Sequence, residues 1–564
     1  RPVSLSNTIG LPPGTAPDHY WTPIYRATGL DYQTLPTVES VVDHVPMQPY
    51  YNCEVFAVNP RLGLCAEWAR ILARLLGDPE YQKAACPTFL KRLFLHQAVL
   101  SAVIQARVAA GRLRPLPLRS GYPFEQHPKL ATDQRVASLN EAAAVIFDTA
   151  WQRTPSWISK IDVQEPLRSW LAEMYLEYLR LSPNLYRMEG SCNAYLAVTP
   201  TGSVLIDPAG AAASPEYFKK VLDTHPLRAI LLTHAHDDHS AGIESWQTDP
   251  PVPVIAQRQF PDFRQYQAML AGFFTRRNAI WAGQPLPAEA PPPKPPTGGP
   301  TVLFADEYTL DLGGFHFRMI HTPGETPDHA TIWIPELSAV CVGDNYYEYF
   351  INNSTFRGTQ IRPVAGYIHA LDTALSFQPE LFLPGHGTPV VGRQEIATTV
   401  GNFRDALKFV HDETVKGINA GKDVYTLMRE VRLPPELQVA QFYGKVPWTV
   451  RGIYQEYVGW FDENPATMYD RPPSSIYPDL VAACGAGAIA GKAEAHLARK
   501  EYVEALHLTE VVLTADPRHE KAQEIRRQAL EALKTGTRNY IERIWLDYGI
   551  RSLQNSTPDH QEAP

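Results

Sequence analysis

Apolar residues recur mostly at three- and four-residue steps from about residue 62 to 112, through Leu64, Trp68, Leu72 and Leu75 and then Leu90, Leu93, Leu95 and Val99. That is a helical period. A second stretch from Ser138 to about Leu181 reads the same way, so residues 1–180 are expected to form a mainly helical region, and nothing in it has ligand spacing. The pattern changes at Asn184. Leu185-Tyr186-Arg187-Met188 and Asn193 to Val198 are short β-type runs, followed by a turn at Pro200-Thr201-Gly202 and the apolar strand Val204-Leu205-Ile206. A helix from about Pro215 to His225 leads to a second buried strand, Ala229-Ile230-Leu231-Leu232. Strands alternating with helices predict a layered α/β domain.

Ala290 to Pro300 holds too many prolines to pair in a sheet or continue a helix, so it reads as a surface loop. It interrupts the α/β domain without ending it, because strand-like text resumes at Val302 and Phe315. From about Asn402 onward the period is helical. Within that tail Ala495, Leu497, Tyr502, Ala505, Leu506, Leu508, Val512, Pro517, Ala522 and Ile525 resemble one tetratricopeptide helix-turn-helix. Such units stack in threes or more, so a helical packing or dimer surface is the better reading of a single one. The expected organisation is residues 1–180 helical, 181–400 α/β, 401–555 all-α and 556–564 a tail.

Composition changes this picture little. Apolar residues make up 44 % and charged residues 20 % of 564, close to globular averages. A net charge of −9 without a long Lys/Arg run points away from nucleic acid and anionic membranes and toward a small-molecule substrate. No run of about 18 uninterrupted apolar residues is present, so no spanning helix is expected. Six scattered cysteines, without a CxxC pair, read as buried small hydrophobes, with a disulfide among Cys53, Cys65 and Cys86 left open. The chain begins at Arg1 without a methionine, which fits a mature exported form or a trimmed one; a periplasmic or secreted place is slightly favoured over the cytoplasm.

The chemistry concentrates directly after Leu232, where Thr233-His234-Ala235-His236-Asp237-Asp238-His239 packs three histidines and two aspartates into six positions. A turn at a strand end aims His234 and His236 at one point while Asp238 and His239 face a second, as a binuclear site of nitrogen and oxygen ligands requires. Further ligands are then needed at later strand ends. They are present in His321-Thr322-Pro323-Gly324-Glu325-Thr326-Pro327-Asp328-His329, at Asp344 after Val342-Gly343, and at His386 in Pro384-Gly385-His386-Gly387.

HAHDDH, TPGETPDH, GDN and PGHG in this order are similar to the metallo-β-lactamase superfamily. The resemblance implies an αβ/βα sandwich in which His234, His236 and a third residue hold one zinc, Asp238, His239 and His386 hold the other, and Asp344 bridges them. The superfamily usually has histidine after Thr-Pro-Gly; Glu325 there resembles the alkylsulfatase branch, with His321 or His329 as alternatives. Thr355-Phe356-Arg357-Gly358 resembles that family's Arg-Gly segment, Phe273-Phe274-Thr275-Arg276-Arg277 its Ser-Arg-Arg segment, and Leu433 to Leu437 with Tyr457 to Pro465 its helical dimerisation domain. The resemblance covers roughly residues 184–553. Asp344 is a departure, since the family usually places glutamate there.

What the resemblance implies is a homodimeric two-zinc hydrolase of alkyl sulfate esters acting through a metal-bound hydroxide on an amphiphilic substrate. Asp238, Asp344 and Arg357 are the catalytic candidates; Arg357, Asn345 and Arg276 the substrate-binding ones, with Arg277 and Arg362 behind them. Arginine's planar fork suits two oxygens of a sulfate or phosphate. Asp207, closing its strand, is a candidate to accept the other N–H of a metal-bound histidine. Phe260, Phe263, Tyr266, Phe273, Phe274 and Trp281 read equally as core or as the wall of an alkyl channel. Two other readings stay open: a carboxylic-ester, lactone or phosphodiester hydrolase on the same site, and a metal-stabilised binding module without catalysis. A di-iron centre is disfavoured, because His236 stands where the di-iron relatives carry a carboxylate.

Overall fold

Two sets of buried residues, one on each side of Leu179, divide the chain into two units. The structure, a computed structural model, describes residues 10–40, 42–51, 56–86, 89–114, 116–146, 161–209, 218–287 and 299–554.

In the first unit the helical period from residue 62 forms the helices Leu64–Leu76, Pro79–Ala85, Phe89–Leu93 and Leu95–Arg107. Gly77-Asp78-Pro79 breaks the run: Asp78 accepts the Tyr81 N–H at 3.0 Å, so it caps a new helix. Ile71, Leu75, Leu95, Val99 and Val103 close one core with Trp21 and Ile24. The helix expected from Ser138 to Leu181 is corrected. Among its described residues only Leu167–Leu179 is α-helical, because Ser138 and Glu141 close a capping box around a short 3-10 turn and Ser138 Oγ donates to the Asp162 carbonyl at 3.2 Å. Side-chain bonds of this kind compete with a helix ladder. Val145–Ile146 instead pairs with Tyr122–Pro123, and residues 147–160 of that stretch lie outside the described residues. Cys65 and Cys86 are free thiols, and Cys53 lies outside the described residues.

The second unit carries two sheets. The first has the strands β1 Arg180–Ser182, β2 Leu185–Glu189, β3 Asn193–Thr199, β4 Gly202–Ile206, β5 Leu227–Leu231, β6 Val254–Gln257 and β7 Val302–Phe304, paired in simple sequence order. β4 to β7 run parallel and β1 to β4 antiparallel. The second sheet runs β8 Glu307–Leu312, β9 Phe315–His321, β10 Ala330–Ile334, β11 Ala339–Gly343, β12 Leu381–Pro384 and β13 Val390–Val391, with β11 and β12 parallel. The inward residues of both sheets, among them Tyr195, Val204, Leu231, Phe317, Met319, Ile332 and Cys341, form one core. This is the expected sandwich.

Helices α1 Val364–Ser376 and α2 Arg393–Asn419 cover the outer face of the second sheet, where Val340, Val342 and Phe382 meet Tyr367, Leu371, Phe403 and Leu407. The domain boundary expected at residue 400 falls inside α2, whose Val400, Phe403 and Leu407 belong to that core. The tail ends in the hairpin of Ala486–Ala498, Tyr502–Ala515 and Glu520–Gly536 around Ala493, Ala505, Ile525 and Ala529, followed by α3 Tyr540–Gln554. Residues 290–298 of the proline run, residues 215–217 of the helix expected to start at Pro215, and the tail 556–564 lie outside the described residues; the described part of that helix is Lys219–Thr224.

Phe317 is fully buried between the sheets. Phe317→Ala is expected to lower stability by about 3–5 kcal/mol, as a buried cavity does, read as an earlier midpoint in urea unfolding.

Candidate metal centre

The candidate ligands lie in segments that follow strands: His234, His236, Asp238 and His239 after β5, Glu325 after β9, Asp344 after β11 and His386 after β12, while Asp207, behind them, follows β4. Stitching between the sheets brings these ends together. Asn193 N–H donates to the Gly385 carbonyl at 2.7 Å, Asn193 Nδ2 to the carbonyls of Pro384 and Gly387 at 2.9 Å each, and Tyr195 Oη to Pro384 at 2.7 Å. Arg187 adds a bond to Gly387. These residues hold the His386 turn, and no motif marks them in the sequence. Gly385 has to be glycine: a Cβ there would collide with Asp344 and the His239 ring.

Two clusters result, His234 with His236 and Asp344, and Asp238 with His239 and His386, the ligand atoms of each lying within 4.8 Å of one another. In the first, His234 Nε2 and His236 Nδ1 are 2.9 Å apart, and both rings are pushed toward the neutral form, chiefly by burial, His236 to about 3. In the second, His239 Nε2 is 3.2 Å from Asp344 Oδ1, and His386 Nε2 is 3.3 Å from Asp238 Oδ2 and 3.5 Å from Asp344 Oδ2. Burial, the largest single influence, opposes charge on these two rings, but Asp344 together with Asp207 at His239 and Asp238 at His386 outweighs it and holds both above the ordinary range, His386 to about 10. Asp344 itself is held well below the usual carboxylate range against burial by His386 and His239. Asp344 Oδ1 is buried without a hydrogen bond, although His239 is within reach, so both atoms aim at a common point. Convergent neutral nitrogens on one side and a field that draws positive charge on the other fit a pair of divalent cations.

Asp207 sits behind the second cluster. His239 Nδ1 donates to its Oδ2 at 2.9 Å, and Thr233 donates through N–H at 2.8 Å and Oγ1 at 2.6 Å. This turns the His239 Nε2 lone pair toward the cluster. Its φ of 53° is the left-handed conformation that aspartate tolerates. Glu325 is 3 % exposed, with Oε1 3.9 Å from His236 Nδ1. The same oxygen pairs with Arg362, and Tyr367 Oη donates to Oε2. Burial raises Glu325 to about 7, with Arg362 pulling the other way. Neither alternative ligand reaches a cluster: His321 Nε2 donates to the Pro327 carbonyl at 2.7 Å, and His329 Nε2 accepts the Asp344 N–H at 3.1 Å with Nδ1 against Asn345.

The arginines sort differently from their sequence ranking. Arg276 is exposed on the helix Ala271–Trp281, with no contact to the clusters. Arg277 donates to the Phe356 carbonyl at 2.8 Å and so braces the Arg-Gly loop. Arg357, half-buried, lies 4.9 Å over the Trp281 ring, and its charge reaches Glu325 and Tyr443. Arg362, ranked behind Arg357, is the buried one. Asn345, a substrate-binding candidate from the sequence, is buried. Its Oδ1 accepts the Glu325 N–H at 2.9 Å and its Nδ2 donates to the Thr322 carbonyl at 2.8 Å, so it shapes the Glu325 turn. Three tyrosines were not anticipated. Tyr347 Oη donates to Asp344 Oδ2 at 2.8 Å, Tyr367 bonds Glu325, and the Tyr443 ring packs 5.5 Å from that of Tyr347. The centre opens to solvent on the side of Asp238 and His386. Phe263 packs 5.5 Å from the His236 ring, while Tyr266, Phe274 and Trp281 are part-exposed and Phe273 more so.

Asp328 is buried beside Thr326 and the Ala235 amide without good hydrogen-bond geometry, and burial raises it from 3.8 to about 7. The folded chain therefore keeps a proton that the unfolded chain loses between these values, so the carboxylate costs stability as pH rises through that window. Chelator-treated Asp328→Asn is expected to match the wild type near pH 4 and exceed it at pH 8 by up to about 4 kcal/mol, measured by urea unfolding at the two pH values.

Residues 187–386 match the metallo-beta-lactamase superfamily, and residues 424–556 match the family described as alkyl sulfatase dimerisation. A linear primary-alkylsulfatase of Pseudomonas sp. (strain ATCC 19151) is 27 % identical over 376 residues, 61 % of this chain and 71 % of that protein. The alkyl/aryl-sulfatase BDS1 of Saccharomyces cerevisiae is 25 % identical over 390 residues, 63 % of this chain and 60 % of that protein. The solved structure of the stereoselective inverting sec-alkylsulfatase Pisa1 from Pseudomonas sp. superposes with a TM-score of 0.59 at 23 % identity, over 67 % of this chain and 66 % of that one. Of the last two relatives the chain thus spans less than two thirds. The α/β domain of this chain belongs to the metallo-beta-lactamase superfamily, and with an alkyl sulfatase dimerisation domain behind it the chain resembles the alkylsulfatases.

Proposed function

We propose that the protein is a two-zinc hydrolase of alkyl sulfate esters that works as a homodimer. The observation that carries this reading is the pair of His/carboxylate clusters joined through Asp344 and flanked by buried or half-buried arginines. His234, His236 and Glu325 would hold one ion, Asp238, His239 and His386 the other, and Asp344 both; nitrogen and oxygen donors in this number suit zinc. A divalent pair supplies Lewis acidity and lowers the pKa of a water toward neutrality.

The remaining roles belong to the chain's own groups. Arg357, half-buried and close enough for its charge to reach Glu325 and Tyr443, offers a planar fork to two sulfate oxygens. Arg362 and Tyr367 keep Glu325 oriented from behind, as Asp207 does for His239 and Tyr347 for Asp344. The part-exposed aromatics Tyr266, Phe273, Phe274 and Trp281 provide an apolar wall for an alkyl tail and keep water from it. Residues 424–556 supply the subunit contact. Hydrolysis of a neutral ester is the second reading, favoured only to the extent that Arg357 already has Trp281 as a partner.

Elemental analysis is expected to find about two zinc per chain, with release of inorganic sulfate from dodecyl sulfate that chelation or Asp238→Ala abolishes; two zinc without sulfate release would redirect the reading to other esters. Arg357→Ala is expected to cost at least about tenfold in kcat/KM for dodecyl sulfate, or more than about 1.4 kcal/mol, and little for a neutral carboxylic ester. Equal losses on both substrates would remove Arg357 from sulfate recognition.

A further inference from the structure

Helix α3, at the far end of the tail, contacts the 441–445 loop through Tyr540 and the Arg-Gly loop through Trp545, whose ring lies 6.4 Å from that of Phe356. Asn539, just before it, is 2 % exposed. Its Nδ2 donates to the carbonyls of Gln441 at 2.8 Å and Tyr443 at 3.0 Å, and its Oδ1 accepts the Glu542 N–H at 2.9 Å, capping the helix. Tyr540 N–H donates to the Phe442 carbonyl at 2.8 Å, and Lys445 pairs with Glu542. From the other side Gly444 N–H donates to the Phe350 carbonyl at 2.9 Å, and a Cβ at Gly444 would collide with the Ile351 carbonyl. The 441–445 loop is therefore pinned between residues 350–351 and 539–542. What it carries inward is Tyr443, against Tyr347 and within the field of Arg357, Arg362, Glu325 and Asp344. The same helix reaches the Arg-Gly loop. Tyr540 packs 5.6 Å from Trp281, the ring under Arg357, and Trp545 lies 5.1 Å from Arg277, which holds the Phe356 carbonyl.

We propose that α3 is a strap that completes the active site, and that Asn539 is a positioning residue which sets Tyr443 on the substrate side of the metal centre. The inference rests on the hydrolase reading for what Tyr443 acts on, but the strap itself is a statement about residues 440–445. Loss of the Asn539 amide leaves two inward carbonyls without their donor, and a loop held by few bonds opens more often. Asn539→Asp separates the two jobs of the side chain, because aspartate still caps α3 but offers no N–H to the carbonyls.

The test uses the full-length, metal-loaded protein. Asn539→Ala and Asn539→Asp are each expected to speed amide exchange at residues 440–445 and to lower kcat/KM for dodecyl sulfate about tenfold, with metal content unchanged. Adding Asn539→Asp to Tyr443→Phe is expected to cost less than threefold more, because the two act through one group. Wild-type behaviour of Asn539→Asp beside an impaired Asn539→Ala would reduce Asn539 to a helix cap, and additive losses would detach it from Tyr443; either overturns the proposal. Absence of sulfate release from the wild type would sink the hydrolase reading instead, and unchanged exchange at 440–445 would then overturn the strap on its own.

Discussion

Apart from Asp328, which burial keeps protonated, three carboxylates, Asp207, Glu325 and Asp344, are buried around the centre, and a buried negative charge persists only beside a compensating positive one or a dense set of donors. Each is answered differently. Asp207 takes three donors from Thr233 and His239, Glu325 has Arg362 and a phenol, and Asp344 has His239, His386 and Tyr347. Partners that gather around buried acids in this way are hard to replace one at a time, since removing either member leaves the other uncompensated. The geometry of the centre follows from that need.

The scaffold meets it with strand ends. Parallel pairs β4–β5 and β11–β12 place consecutive ligand loops side by side, and Asn193, Tyr195 and Arg187 tie the His386 turn of one sheet to the other. Side chains that touch no reacting atom thus set where the ligand atoms converge. On the proposed reading, the same logic extends outward to Asn345 under Glu325, Arg277 under the Arg-Gly loop and Asn539 under Tyr443.

The sandwich was legible because its strands are short apolar runs bounded by turn residues, and its ligands because three histidines and two aspartates in six positions have no packing use. Less of the rest was legible. Ser138 to Ile146 has helical spacing, but a capping side chain closed the turn first. Residue 400, where a boundary is expected, falls within α2, which continues the core of the second sheet. Arg362 was ranked below Arg357, since nothing in one dimension distinguishes an arginine that turns inward from one that lies over a surface ring.

The sequence by itself determined the order of strand ends, the side chains that gather into the two clusters and the aspartate behind His239. These are local facts: a ligand motif occupies one turn, and its residue types carry the chemistry wherever the turn is placed. The tertiary structure decided which arginine faces Glu325, that Asn345 shapes a turn, and that a helix beginning at Tyr540 braces loops near residues 357 and 443. Those relations join residues from 20 to more than 200 positions apart, on different loops, and they exist only because burial made each buried polar group find a partner from another segment.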